Sequence, residues 1–193
     1  MKLFSKLYDK VMKWSRHPHA ERYLAGLSFA ESSFFPIPPD VMLAPMSLAK
    51  TDKALRFALI TTIASVAGGI FGYAIGLWFF DLIQPLVSEG GRWEHHYLLT
   101  KEWFLEWGFW AIFIAGFSPI PYKVFTITAG AIGMLFLPFV IASTIGRGAR
   151  FFLVASLMKW GGKDMELKLK QYIDILGWFF IILGVIAYII YNI

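Results

Sequence analysis

The sequence predicts an all-α integral membrane protein with an inverted repeat. Each repeat is a re-entrant helical hairpin plus a transmembrane helix, and an N-terminal amphipathic helix and an extra C-terminal transmembrane helix flank the pair. Three observations carry this expectation. The 193-residue chain is 58% hydrophobic and only 16% charged, against about 25% charged in an average soluble domain. Several segments approach the ~20 apolar residues that cross a bilayer. Two of those segments are broken by matching proline motifs, Pro36-Ile37-Pro38-Pro39-Asp40-Val41 and Pro119-Ile120-Pro121-Tyr122-Lys123-Val124.

The whole chain, 1–193, reads as one membrane domain. Residues 1–20 form its amphipathic helix: Leu3, Phe4, Leu7, Tyr8, Val11 and Met12 recur at helical spacing, with Lys2, Lys6, Lys10 and Lys13 mostly on other faces. Such a helix lies in the interface or packs on the cytoplasmic side of the protein. No uninterrupted apolar run occurs in the first twenty residues, so a cleaved signal peptide is not expected.

Residues 23–80 form repeat 1. Proline lacks the backbone donor and clashes with the preceding turn, so a straight helix through Pro36, Pro38 and Pro39 is not expected. Two half-helices meeting at a non-helical tip fit better, and membranes tolerate such a tip only where protein or water surrounds it. The segment 57–80 is a cleaner span, and Gly68, Gly72 and Gly76 form a ridge on one face that lets another helix approach closely. That partner is either within the chain or in a second copy, which would make a homo-oligomer. Residues 81–102 are polar, with a turn expected at Gly90-Gly91.

Residues 103–158 form repeat 2, with its tips at Pro119 and Pro121 and its span opening at Pro138. Residues 173–193 make the last span. Lysine and arginine concentrate in 1–22, 50–56 and 159–172, while 81–102 holds only Arg92 and Lys101. The positive-inside rule then places the N-terminus in the cytoplasm and the C-terminus outside. It also requires each broken segment to return to the side it entered from, which makes the repeat inverted, as in many transporters.

The net charge of +5 sits beside apolar segments, as that rule expects, so nucleic acid is not the expected partner. There is no cysteine, which excludes disulfides and thiolate metal sites. His17 and His19, and Glu94, His95 and His96, lack an evident third ligand, and neither a metal nor a cofactor is expected. Trp103, Trp107 and Trp110 read as interfacial anchors.

Glu31 followed by PIPPD, and then Phe117–Gly130 (FSPIPYKVFTITAG), resembles the DedA family, relatives of the SNARE-associated Golgi or VTT-domain membrane proteins. Gly146–Phe152 (GRGARFF) is similar to a branch of small inner-membrane proteins. The resemblance covers about residues 20–160. It implies a bacterial inner-membrane protein with facing re-entrant hairpins that moves phosphate-bearing lipid, with dependence on the proton gradient and a role in membrane homeostasis. The family's functional acids match Glu31 and Asp40, and its basic residue after the second proline motif matches Lys123. Many members carry arginine where this chain has Gly116, and Arg147 and Arg150 are candidates for that missing charge.

Five charges thus fall at membrane depth: Glu31, Asp40, Lys123, Arg147 and Arg150. Intramembrane ionisable groups are costly and by default functional. Burial disfavours a charged carboxylate and a nearby cation favours it, which makes Glu31 and Asp40 candidates for proton exchange. Structurally, Asp40 is a candidate N-cap for the returning helix or a partner for Lys123. Arg147 and Arg150, three residues apart, share a helical face. Their planar forks suit a lipid phosphate, or they pair with Glu31 and Asp40. No nucleophile–base pair appears at this depth, so an enzyme is not expected. A small-solute or ion porter and a non-transporting scaffold are the competing functions.

Overall fold

The structure is a computed structural model that describes residues 17–35, 37–80, 94–118 and 122–161. Among the described residues six α-helices follow in order: α1 (Ala20–Ser33), α2 (Asp40–Ala49), α3 (Ala54–Trp78), α4 (Glu94–Phe117), α5 (Tyr122–Ala131) and α6 (Phe136–Gly161). Among the described residues there is no strand. The amphipathic helix, the Gly90-Gly91 turn, the C-terminal span and the tip residues Pro36, Pro119 and Pro121 lie outside the described residues.

At the first break, the described residues around Pro39 do what proline chemistry requires. At the end of α1, the amides of Phe34 and Phe35 both donate to Ala30 O at 2.8 Å, closing the helix. Pro39, held at φ −66°, then stands before Asp40 and opens α2. A fixed φ near that value is preorganised for a helix start. At ~1.5 Å per residue, the 14 residues of α1 and the 10 each of α2 and α5 are too short to cross ~30 Å of hydrocarbon. The segments Thr51–Trp78 and Phe136–Gly161 are long and apolar enough to do so.

Specific contacts fix the helix directions. Ser28 Oγ donates to Thr61 O at 2.8 Å, and Ser33 Oγ donates to Gly68 O at 3.1 Å, so α1 runs parallel to α3. Gly69 lies by Tyr122 and Gly76 by Ile127, so α5 also runs parallel to α3. Along α6 the order reverses: Gly148 lies by Thr62, and Phe139 stacks near Tyr73. The Gly68, Gly72 and Gly76 ridge therefore packs inside the chain. A methyl at Gly68 would strike the main-chain oxygen of Phe29, and one at Gly76 would strike that of Ile127. At Gly72 it would meet both Thr126 Oγ1, at 2.5 Å, and Ser32 O, at 3.4 Å.

The interior has three levels. One apolar cluster joins Ala20 and Leu24 of α1, Met46 of α2, Phe57 of α3 and Phe151 of α6. A second joins Tyr73 of α3, Ile112 of α4, Ala129 of α5 and Phe139 of α6. Between them along α3 and α6 lie buried Thr61, Thr62, Ser65, Ser143 and Arg147. The outer surface is the apolar one, with Leu59, Ile63, Phe71, Leu77, Ile141 and Leu153 all exposed. Trp103, Trp107 and Trp110 are exposed as well. Polar groups inside and large apolar groups outside suit a hydrocarbon solvent.

The glycine contacts give a paired test. Gly68→Ala pushes a methyl into the backbone of α1 and is expected to cost about 1–3 kcal/mol, read as a lower Tm in detergent. Gly26→Ala meets nothing within 4 Å and is expected to gain about 0.5–1 kcal/mol from helix propensity.

Candidate functional site: a charged layer joining the two breaks

Arg147 sits midway along α6, and its side chain is 1% exposed. Its Nη2 meets Glu31 Oε2 of α1 at 2.5 Å, and Glu31 is itself only 13% exposed. Nε donates to Ser65 Oγ of α3 at 2.6 Å. The hydroxyls of Ser65 and Ser32 lie 2.7 Å apart, and Ser32 Oγ donates to Glu31 Oε2 at 3.0 Å. Each hydroxyl has one proton. With Ser32 donating to Glu31, Ser65 must donate to Ser32. The chain therefore runs in one direction from Arg147 through Ser65 and Ser32 to Glu31. The guanidinium lies 4.9 Å from the centre of the Tyr122 ring and 4.6 Å from that of Phe151. The Tyr122 hydroxyl donates to Ser143 Oγ, which fixes its ring. Four helices thus hold one arginine.

The second pair is more open. Arg150 Nη2 meets Asp40 Oδ2 at 2.7 Å, with side-chain exposures of 18% and 24%. Arg150 Nη1 also donates to Ser118 O, at the end of α4, at 2.6 Å. Arg150 therefore ties the far side of the first break to the near side of the second. Lys123, at the start of α5, makes the reciprocal tie by donating from Nζ to Phe34 O at 3.1 Å. That carbonyl belongs to the C-terminal end of α1, where a cation is favoured.

Two expectations are corrected here. Asp40 does not pair with Lys123; its partner is Arg150, because Lys123 reaches the end of α1 instead. Nor does Asp40 cap α2: it is the first helical residue, and no side-chain cap bond forms. The two arginines on one face do pair with Glu31 and Asp40, one acid each. Among the tip prolines, Pro38 is exposed and Pro39 buried. Among the described residues no group of three or more His, Cys, Asp or Glu is placed to hold a metal ion.

Gly116 lies directly against Arg147: a methyl there would stand 3.3 Å from Arg147 N and 3.5 Å from its Cγ. The backbone of α6 and the first carbons of the Arg147 side chain thus pass beside position 116 on α4. Sequence reasoning picked out the charges and missed Ser32, Ser65, Tyr122 and Ser143. For Ser32 and Ser65 a signal was present: small hydroxyls spaced by four on apolar helices, at Ser28 and Ser32 and at Thr61 and Ser65.

These geometries separate the ion pairs by stability. Glu31→Ala leaves Arg147 buried and uncompensated, at a cost of about 3–5 kcal/mol. Arg56→Ala breaks only the exposed pair with Glu21 at 2.8 Å and should cost about 0–1 kcal/mol. Thermal unfolding in detergent should show a large loss for the first and little change for the second.

A VTT-domain family model matches residues 33–160. The chain is 51% identical over 190 residues to an uncharacterized protein of Haemophilus influenzae, covering 98% of each. It is 29% identical over 118 residues to undecaprenyl phosphate transporter A of Staphylococcus aureus, covering 57% of this chain and 58% of that one. The same identity holds over 117 residues to undecaprenyl phosphate transporter A of Bacillus subtilis, covering 56% and 57%. No solved structure matches. With the family model spanning both breaks and Asp40, Lys123, Arg147 and Arg150 of the charged layer, this chain belongs to the VTT-domain, or DedA, family of membrane proteins.

Proposed function

We propose that the protein moves a phosphate-bearing lipid across the bacterial inner membrane, coupled to protons, and so supports membrane homeostasis. The observation that carries this reading is the charged layer at the two breaks, where Arg150 and Lys123 each reach across from one break to the other. A cationic site at the depth where two short helices end suits a phosphate headgroup, while the apolar exterior leaves its tail in lipid. The relatives named undecaprenyl phosphate transporter A support the same class of cargo.

The inverted repeat belongs to this proposal. Its support is the twice-used order of helix, break, short helix and long helix, with α3 and α6 running in opposite directions. Arg56 meets Glu21 at 2.8 Å, so α1 and α3 begin at the same end, as a hairpin between them requires. The basic residues Lys50, Lys53 and Arg56 near that end favour a cytoplasmic location.

In proteoliposomes, the wild type is expected to move a polyprenyl monophosphate between leaflets, and Asp40→Asn is expected to slow that movement by about tenfold or more. Full activity in the mutant, or uptake of a soluble solute without lipid movement, refutes the reading. Cysteines placed singly at positions 37 and 120 of this cysteine-free chain should be labelled from opposite faces of the membrane. Labelling from one face removes the inverted repeat.

A further inference from the structure

The two ion pairs are built for different tasks. Arg147 has its edge filled by Glu31, Ser65 and Ser32 and its faces covered by Tyr122 and Phe151. An incoming anion finds no side of it open among the described residues. Arg150 is partly exposed and held by one carboxylate oxygen and one main-chain carbonyl. Lys123 is held by a main-chain carbonyl alone among the described residues. Neutral carbonyls are weaker partners for a cation than a phosphate oxygen. Asp40 is incompletely satisfied as well: its Oδ1 is buried and accepts no hydrogen bond among the described residues, and the neighbouring Ser118 Oγ is likewise buried without a partner.

We propose that phosphate binds by exchange at Arg150, with Lys123 as second ligand, and that one proton passes to Asp40 as its arginine is taken. This deepens the transport reading and rests on it. The phosphate oxygens replace Asp40 Oδ2 and Ser118 O on Arg150, and Phe34 O on Lys123. Asp40, left at membrane depth without its cation, takes a proton from water. Charge balances: Lys123, Arg150 and ionised Asp40 sum to one positive charge. A phosphate bearing one negative charge plus a proton on Asp40 leaves that sum unchanged. Entry thus adds no net charge to a low-dielectric site, where an uncompensated charge is costly.

The other groups facing this layer do not compete for that role. From α6 and α1 come Arg147 and Glu31, paired with each other. From α5 come Lys123 and Tyr122, and from α3 the hydroxyl of Ser65. From α4 comes Ser118. The exchange also breaks both ties between the breaks, so binding of the headgroup itself releases one break from the other.

The test is a titration of purified full-length protein in weakly buffered detergent, following binding and pH together. One arm uses a short-chain polyprenyl monophosphate and the other inorganic phosphate. The wild type is expected to take up about one proton per phosphate bound. Asp40→Asn, which removes the competing charge, should bind about fivefold or more tightly with no proton uptake. Arg150→Gln should bind about tenfold or more weakly, and Glu21→Gln, far from the layer, should match the wild type. If Arg150→Gln fails to fold, the wild-type proton count and Asp40→Asn still decide. Proton uptake that persists in Asp40→Asn, or weaker binding by it, overturns the exchange while leaving lipid transport standing. Binding of inorganic phosphate but not of the lipid, with the Asp40-dependent proton, supports the exchange and overturns the lipid cargo. Binding of neither overturns both.

Discussion

An arginine with a 1%-exposed side chain is the constraint on which the arrangement depends. A guanidinium stays charged under all ordinary conditions, and an isolated charge is not tolerated in an apolar interior. Arg147 is acceptable only while α1 presents Glu31 and Ser32, α3 presents Ser65, and α5 presents Tyr122. The docking of three helices onto α6 is therefore coupled through one side chain. Removing the charge together with its acid is a different matter, since buried pairs are often replaceable by apolar groups of similar shape. What the pair secures is relative placement: it brings the end of α1 to the middle of α6, and with it the first break to the depth of the second.

The packing follows from the solvent. Hydrocarbon gives helices no hydrophobic reason to associate, so small residues and hydrogen bonds must do it. The contacts of α1 with α3 are of this kind: Ser28, Ser32 and Ser33 each reach a group on α3, and Gly68 lets the backbones close. Single bonds of this type average ~0.6 kcal/mol in membranes. Association therefore needs several together, in register, and Ser28, Ser32 and Ser33 on one face of α1 provide it. Gly116 and Gly146 serve α4 and α6 similarly, with Gly146 close against Phe113 O.

Much of this was legible in the sequence. Proline chemistry marked both breaks, and unbroken apolar length marked α3 and α6. Charge at membrane depth picked out the five residues of the layer. What the sequence left open was partner choice. The expected repeat put Asp40 opposite Lys123, but equivalent positions in two motifs need not touch. Arg150 reaches Asp40 because α6 passes both breaks, while Lys123 starts α5 beside the end of α1. The glycine ridge had two possible uses, and only three-dimensional contacts with Phe29, Thr126 and Ile127 decide between them. The serine and tyrosine supports of Arg147 were passed over because hydroxyls are common and carry no charge to draw attention.

Gly72 touches both Ser32 of α1 and Thr126 of α5. There the end of one short helix meets the start of another from far along the chain, and together they make a column along α3. That column has a seam. Its hydrogen-bond ladder stops at Phe35, the next described helix begins at Tyr122, and a lysine side chain reaches from one side to the other. Bending α3 at this depth would break backbone ladder bonds, whereas tilting α5 against α1 breaks side-chain contacts only. The main chain is therefore unbroken along the long helices and interrupted across the seam, and the plane of the seam is the one that carries the charges.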